Sequence, residues 1–125
     1  MPPNQRPAAR VLRLLRAALD DLPPQYAERL ANLEFVVARA PSPRQRRRLK
    51  LGGATLYGLY EGVPLTQRGA HGESMPDKIT LFWGPLLRDF PDEPALAAEV
   101  RKTVYHEIAH YFGLEEDDLS GSSVR

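Results

Sequence analysis

The chain has 125 residues, of which 42% are hydrophobic and 26% charged, with a net charge of +1 and no cysteine. This composition indicates one globular domain, and it excludes disulfides, thiolate metal sites and cysteine nucleophiles. No apolar run approaches the ~18 residues of a membrane span, and the N-terminal sequence MPPNQRPAAR lacks the apolar region of a signal peptide, so we expect a cytoplasmic protein.

Charge is distributed unevenly along the chain. Residues 1–50 carry 11 Lys and Arg against 4 Asp and Glu, whereas residues 51–125 carry 6 against 12. A basic half could meet nucleic acid or an acidic partner, or it could neutralise the acidic half within one fold. We favour neutralisation, because the positive charges are not interleaved with aromatic residues.

The first part of the chain predicts two helices and one strand. Residues 1–7 hold three prolines and are expected to be disordered. Apolar residues recur at helical spacing from 8 to 22, which predicts an amphipathic helix packed on the core. Pro24 can begin a short second helix through about residue 31. Residues 33–38 (LEFVVA) are typical of a strand.

A basic segment follows Pro41-Ser42-Pro43. Its charged residues are Arg44, Arg46, Arg47, Arg48 and Lys50. We interpret residues 44–50 as a solvated loop, because runs of like charge usually face solvent. A nucleic-acid patch is the alternative interpretation.

The second part of the chain predicts two more strands and a long final helix. Residues 55–60 and 78–83 are predicted strands, and residues 62–75 between them form a long loop of the kind that is often functional. A helix is predicted from Pro94 to Phe112. Gly113 is its expected C-terminal cap, since glycine readily takes a positive φ.

The sequence HEIAHYFG at residues 106–113 is an H-E-x-x-H motif followed by a glycine. His106 and His110 lie one turn apart on one helix face, where both imidazoles can bind a single Zn²⁺. Glu107 would be the general base that acts on the metal-activated water. Chance alone gives such a motif in roughly one chain of this length in a few hundred, and the helical context favours the functional interpretation.

A catalytic zinc site needs a third protein ligand beside an open position for water. Gly113 allows the chain to reverse after the helix, which brings an acidic run back toward the metal. Glu116 is the eleventh residue counted from His106 and is the first choice, with Asp117 as the alternative. Glu115, Asp118 and water stay open as further ligands.

Three segments together carry a resemblance to a known family. Residues 59–68 (LYEGVPLTQR), residues 76–87 (PDKITLFWGPLL) and the HEIAHYFG helix resemble a bacterial family of minimal zincin-like metallopeptidases with the motif HExxHxxGxx[D/E]. Glu116 matches the third-ligand position of that motif. Metzincins have a methionine turn after the zinc helix, whereas Met1 and Met75 both precede it, so we do not expect a metzincin.

The resemblance implies an α+β fold over residues 8–120, with residues 121–125 as a flexible tail. The expected architecture is a small three- to four-stranded mixed sheet packed against an N-terminal helix and a C-terminal active-site helix. The implied activity is zinc-dependent hydrolysis of peptide bonds, with a peptide or polypeptide as substrate and neither a membrane nor nucleic acid as partner. The alternative is a non-catalytic zincin-like module that binds nucleic acid or a protein through residues 44–50.

Substrate contacts can also be predicted. An oxyanion or substrate could be contacted by His71 or Arg68 in the long loop, or by Tyr105 or Tyr111 beside the ligands, although a loop histidine is usually just exposed and helical tyrosines are usually packed. In zincin-like folds the peptide lies along an edge strand. The strand predicted for this role directly precedes the helix and consists of Ile79, Thr80, Leu81, Phe82 and Trp83.

Overall fold

A computed structural model describes residues 5–62 and 77–113, which form five helices and a three-stranded mixed sheet. The fold is α+β, with the N-terminal and C-terminal helices packed on the sheet, as predicted. In chain order the elements are α1 (Gln5–Asp20), α2 (Pro24–Ala27), β1 (Leu33–Ala38), α3 (Pro43–Leu49), β2 (Gly58–Glu61), β3 (Asp77–Phe82), α4 (Trp83–Asp89) and α5 (Glu93–Phe112).

The sheet has the strand order β1-β3-β2, so β3 is its central strand. β3 pairs in parallel with β1 and antiparallel with β2, and Ile79 to Leu81 have a neighbour on both sides. The prediction of a peptide-binding edge at this strand is therefore wrong, because a central strand has no free edge; it concerned Ile79, Thr80, Leu81, Phe82 and Trp83. Trp83 does not belong to the strand but begins α4. Within the described residues, the edge nearest α5 belongs to β2.

One apolar cluster joins α1 and α5 to the sheet. The predicted stripe of α1 is confirmed, because Val11, Leu15 and Leu22 are all buried. Each fully buried side chain of this size contributes roughly 1.5–3 kcal/mol. This core fixes α5, the helix that carries the HEIAH motif, against β2 and β3. Its fully buried members are Val11, Ile79, Leu81, Leu86, Leu96, Val100, Val104 and Ile108.

The basic segment is a helix, so its interpretation as a loop is wrong. Ser42 and Gln45 form a reciprocal capping box, in which each side chain bonds the other residue's backbone N–H. Pro43 occupies the first helical turn, where its missing N–H costs nothing. Lys50 ends the helix with a φ of 55°. The spacing of Ser42 and Gln45 is a local signal that was available in the sequence.

Three other elements begin or end a few residues away from their predicted boundaries. α1 begins at Gln5, inside the segment expected to be disordered, because Pro7 lies in the first turn and a proline there breaks no hydrogen bond. α2 ends at Ala27, earlier than predicted. β2 begins at Gly58 rather than at residue 55. Among the described helices, none is long and apolar enough to cross a membrane.

Ion pairs connect the basic half of the chain to the acidic half. Arg10 and Arg13 both contact Glu93, at 2.9 and 3.4 Å. Arg48 contacts Glu61 at 2.7 Å. Exposed pairs of this kind contribute about 1 kcal/mol or less each, so they balance charge more than they stabilise the fold. The interpretation of the charge asymmetry as internal neutralisation agrees with these contacts.

Candidate metal centre

The last turns of α5 place the motif at the boundary between core and solvent. Ile108 and Phe112 point into the core, whereas His110 is exposed. The helix ends at Gly113, whose φ of 72° lies in the left-handed region and whose N–H bonds the carbonyls of Ala109 and His110. This is the predicted glycine cap. It ends the helix three residues after the second histidine.

Three side chains of the motif converge. The rings of His106 and His110 have centroids 4.3 Å apart and are inclined at 65°. Nδ1 of His110 lies 3.3 Å from Oε1 of Glu107, and Nε2 of His106 lies 3.8 Å from its Oε2. One ligand atom from each residue falls within 4.8 Å of the others. Imidazole nitrogens are donors that Zn²⁺ prefers, so His106 and His110 fit a zinc ion, with the Glu107 carboxylate beside it.

Glu107 is held by the neighbouring strand. Its side chain is only 7% exposed, and its Oε1 accepts a 2.9 Å hydrogen bond from the backbone N–H of Tyr60 in β2. Phe82 N–H donates to the carbonyl of Tyr57, so Tyr60 falls in a non-hydrogen-bonded pair with Ile79 and directs its N–H away from β3. Tyr60 was not among the predicted site residues, because no local pattern relates it to the motif.

A pocket of about 260 Å³ opens beside the motif. One wall is formed by residues 55–58, the last of which begins β2. The other wall is a face of α5, where residues one and two turns before His106 align with it. The helix residues that line this pocket are Glu99, Lys102, Thr103, His106 and Glu107. Thr103 was not among the predicted site residues, and the pocket itself was not predicted.

The strand-side wall of the pocket is fixed by α4. The hydroxyl of Tyr57 donates to Asp89 at 2.6 Å, and Arg88 donates to Thr55 at 3.1 Å. The bond to Asp89 and partial burial raise the pKa of Tyr57 to about 12. Hydrogen bonds from Arg88 and then Tyr57 lower the pKa of Asp89 to about 2. This network ties the segment before β2 to a packed helix, so the wall is preorganised.

The two tyrosines of the motif helix have structural roles. The hydroxyl of Tyr105 donates to the carbonyl of Ala18 at 3.1 Å, and that of Tyr111 donates to the carbonyl of Arg29 at 3.3 Å. Both rings are buried. A hydroxyl that donates to a backbone carbonyl cannot at the same time donate its proton to an oxyanion. The described geometry therefore does not match the predicted substrate contact of Tyr111 or Tyr105.

The remaining predicted site residues lie outside the described residues. They are the candidate third ligands Glu116 and Asp117, with Glu115 and Asp118, and the loop residues His71 and Arg68. Their roles stay predictions.

Part of the basic helix α3 serves the fold itself. Arg46 donates to the carbonyls of Gly52 and Ala54, which holds the loop that follows the helix. Arg48 pairs with Glu61 of β2. Two of the charges proposed as a nucleic-acid patch are thus engaged within the protein.

An H-E-x-x-H helix packs against a small mixed sheet, and the motif glutamate accepts a hydrogen bond from β2, so the motif forms a cluster that could hold a metal ion. The sequence profile of the zincin-like metallopeptidase family matches residues 30–123, and the chain belongs to this family. The resemblance seen in the sequence is thereby confirmed. Comparison with curated proteins gave no match.

Proposed function

We propose that this protein is a zinc-dependent metallopeptidase that hydrolyses peptide bonds. The observation that carries the proposal is the convergence of His106, His110 and a buried Glu107 whose carboxylate is oriented by a strand edge. The cysteine-free sequence fits a reducing compartment, and we propose the cytosol as its location.

His106 and His110 would hold the zinc ion, with Glu116 as the proposed third ligand and Asp117 as the alternative. When bound, zinc supplies Lewis-acid polarisation of the scissile carbonyl and activation of water. Two histidines and one carboxylate leave an open coordination position, as catalytic sites require.

Glu107 is the proposed general base and acid. Its Oε1 is anchored by the Tyr60 N–H, so the carboxylate has one oxygen fixed and the other, Oε2, on the side of His106. A carboxylate held in this way can take a proton from the attacking water and pass it to the leaving amine, a contribution of about 10²–10⁴ in rate.

The proposed substrate strand is β2, in place of the strand predicted from the sequence. β2 directs the backbone groups of Gly58 away from β3, toward the side on which Tyr60 N–H donates to Glu107. A peptide that added to this edge in an extended conformation would pass directly over the motif. No observation in the described residues favours the non-catalytic binding module in the same way.

The proposal can be tested by metal analysis and peptide cleavage. Wild-type protein should bind about one zinc per chain, and His106→Ala should lose it. Cleavage of a peptide library should disappear in Glu107→Gln while zinc stays bound, because glutamine keeps the oxygen that accepts from Tyr60. Glu34→Gln, which changes an exposed carboxylate on β1 at the edge of the sheet opposite β2, is the matched control and should cleave normally. Zinc-loaded protein that cleaves nothing in a Glu107-dependent manner would contradict the proposal.

A further inference from the structure

The pocket beside the motif contains a carboxylate, Glu99, that is held by a hydrogen bond. Glu99, two helical turns before His106, is about 10 Å from it along the axis of α5. Oε2 of Glu99 accepts a 3.0 Å hydrogen bond from the hydroxyl of Thr103, whose residue is only 7% exposed. Both residues line the pocket. The carboxylate is therefore half-buried and held in place at the end of the pocket distant from the metal centre.

The pocket wall opposite Glu99 suits the stem of a long side chain. It includes Leu56, the ring of Tyr57 and the backbone of Gly58. The Tyr57 ring is fixed by its bond to Asp89 and by an edge contact with Phe90, whose ring centroid is 5.4 Å away. Such a surface packs against methylene groups, and an aromatic face also favours a cation near it.

Lys102 lines the same pocket with the opposite charge, but its situation differs. Its side chain is exposed, and it makes no ion pair or hydrogen bond with any other described residue. An exposed lysine is strongly hydrated and must lose rotamer freedom to bind a ligand. Glu99 is already fixed by Thr103, so it loses less on binding. The preorganised charge of the pocket is therefore negative.

We propose that this pocket selects a basic substrate residue, arginine or lysine, and that Glu99 is the residue that determines the specificity. The inference rests on the proposed peptidase function and adds a substrate class to it. The guanidinium or ammonium group would pair with Glu99 while the aliphatic stem lies along Leu56 and Tyr57. The main chain of the substrate would then lie at His106 and Glu107, where β2 can pair with it.

The test measures binding separately from cleavage. The probes are N-acetyl amino acid hydroxamates with arginine, norleucine or glutamate side chains, titrated calorimetrically into the zinc-loaded full chain. The arginine compound should bind about tenfold more tightly than norleucine, since a charge-assisted hydrogen bond contributes about 1.5–3 kcal/mol. In Glu99→Gln this preference should fall to about twofold or less. Glutamine keeps an acceptor for Thr103, and unchanged thermal unfolding would verify that the variant is folded.

Lys102→Gln is the matched control, because it removes the other charge of the same pocket. It should keep or increase the preference for arginine. Three results would each overturn the assignment of Glu99. The wild type could bind the arginine and norleucine compounds equally, it could prefer the glutamate compound in a way that Lys102→Gln abolishes, or it could bind no hydroxamate. Glu107-dependent peptide cleavage without a basic preference would refute the pocket and leave the peptidase standing. An arginine preference in binding without any peptide cleavage would refute the peptidase function and leave the basic specificity of the pocket standing.

Discussion

The backbone N–H of Tyr60 and the carboxylate of Glu107 are joined by a 2.9 Å hydrogen bond across 47 residues of sequence. The donor lies on the edge strand of the sheet and the acceptor on the motif helix. This one contact sets the distance between the strand that could hold a peptide and the residue that would act on it. It also gives the carboxylate of Glu107 a fixed orientation.

This contact predicts that two variants of Glu107 differ in stability. Glu107→Ala leaves the Tyr60 N–H without its acceptor, whereas Glu107→Gln keeps one. We expect Glu107→Ala to unfold with a free energy about 1–3 kcal/mol lower than Glu107→Gln. The measurement is urea denaturation with a chelator present, so that metal binding does not contribute. Equal free energies of unfolding would show that the hydrogen bond does not form in solution.

The proposed third zinc ligand can be tested by paired amide substitutions. Glu116→Gln should weaken zinc affinity by more than about tenfold. Mutating even a residue that only hydrogen-bonds a metal ligand typically lowers metal affinity by about 10–100-fold. Asp117→Asn should bind zinc nearly as well as the wild type. Competition with a chromogenic chelator measures both. The opposite ranking would assign the ligand to Asp117, and two small effects would exclude both residues.

Gly113 should be intolerant of a side chain. Its φ of 72° is a conformation that alanine adopts only at a cost, so Gly113→Ala should lower the free energy of unfolding by about 1 kcal/mol. Gly53→Ala is the matched control, since Gly53 has no positive φ and a Cβ there would meet nothing within 4 Å. Thermal unfolding of the two variants measures the difference. A loss at Gly113 no greater than that at Gly53 would contradict the left-handed cap.

The Tyr57–Asp89 pair predicts a pH dependence at both extremes. Asp89 has a pKa lowered to about 2, so its contribution to stability is present above its ordinary value of 3.8 and is lost as pH falls through about 2. Tyr57 has a pKa raised to about 12, so its contribution is present below its ordinary value of 10 and is lost as pH rises through about 12.

Tyrosinate absorbance can isolate this group among the five tyrosines of the chain by subtracting a Tyr57→Phe titration. Asp89→Asn should move the pKa of Tyr57 back toward 10, because the hydrogen bond to Asp89 is the largest cause of its shift. A pKa of Tyr57 that stays near 12 in Asp89→Asn would contradict the assigned cause.

Sequence alone determined the features that depend on neighbouring residues. Helical periodicity and a glycine cap predicted the helix that carries His106, Glu107 and His110, and β1 was predicted with its observed bounds, Leu33–Ala38. Both follow from local physics, because caps and side-chain periodicity act within a few residues. The missed helix α3 also had such a signal, the capping box of Ser42 and Gln45, which the run of charge obscured.

Tertiary structure alone decided the order of the strands in the sheet and which residues contact the H-E-x-x-H motif. The pairing of β3 on both edges excluded it as a free edge for a peptide, which is why we propose β2 for that role. The bond from Tyr60 to Glu107, and the pocket between Glu99 and the segment before β2, arise from the same packing. Strand order is set by pairings between residues far apart in sequence, and no local propensity encodes them.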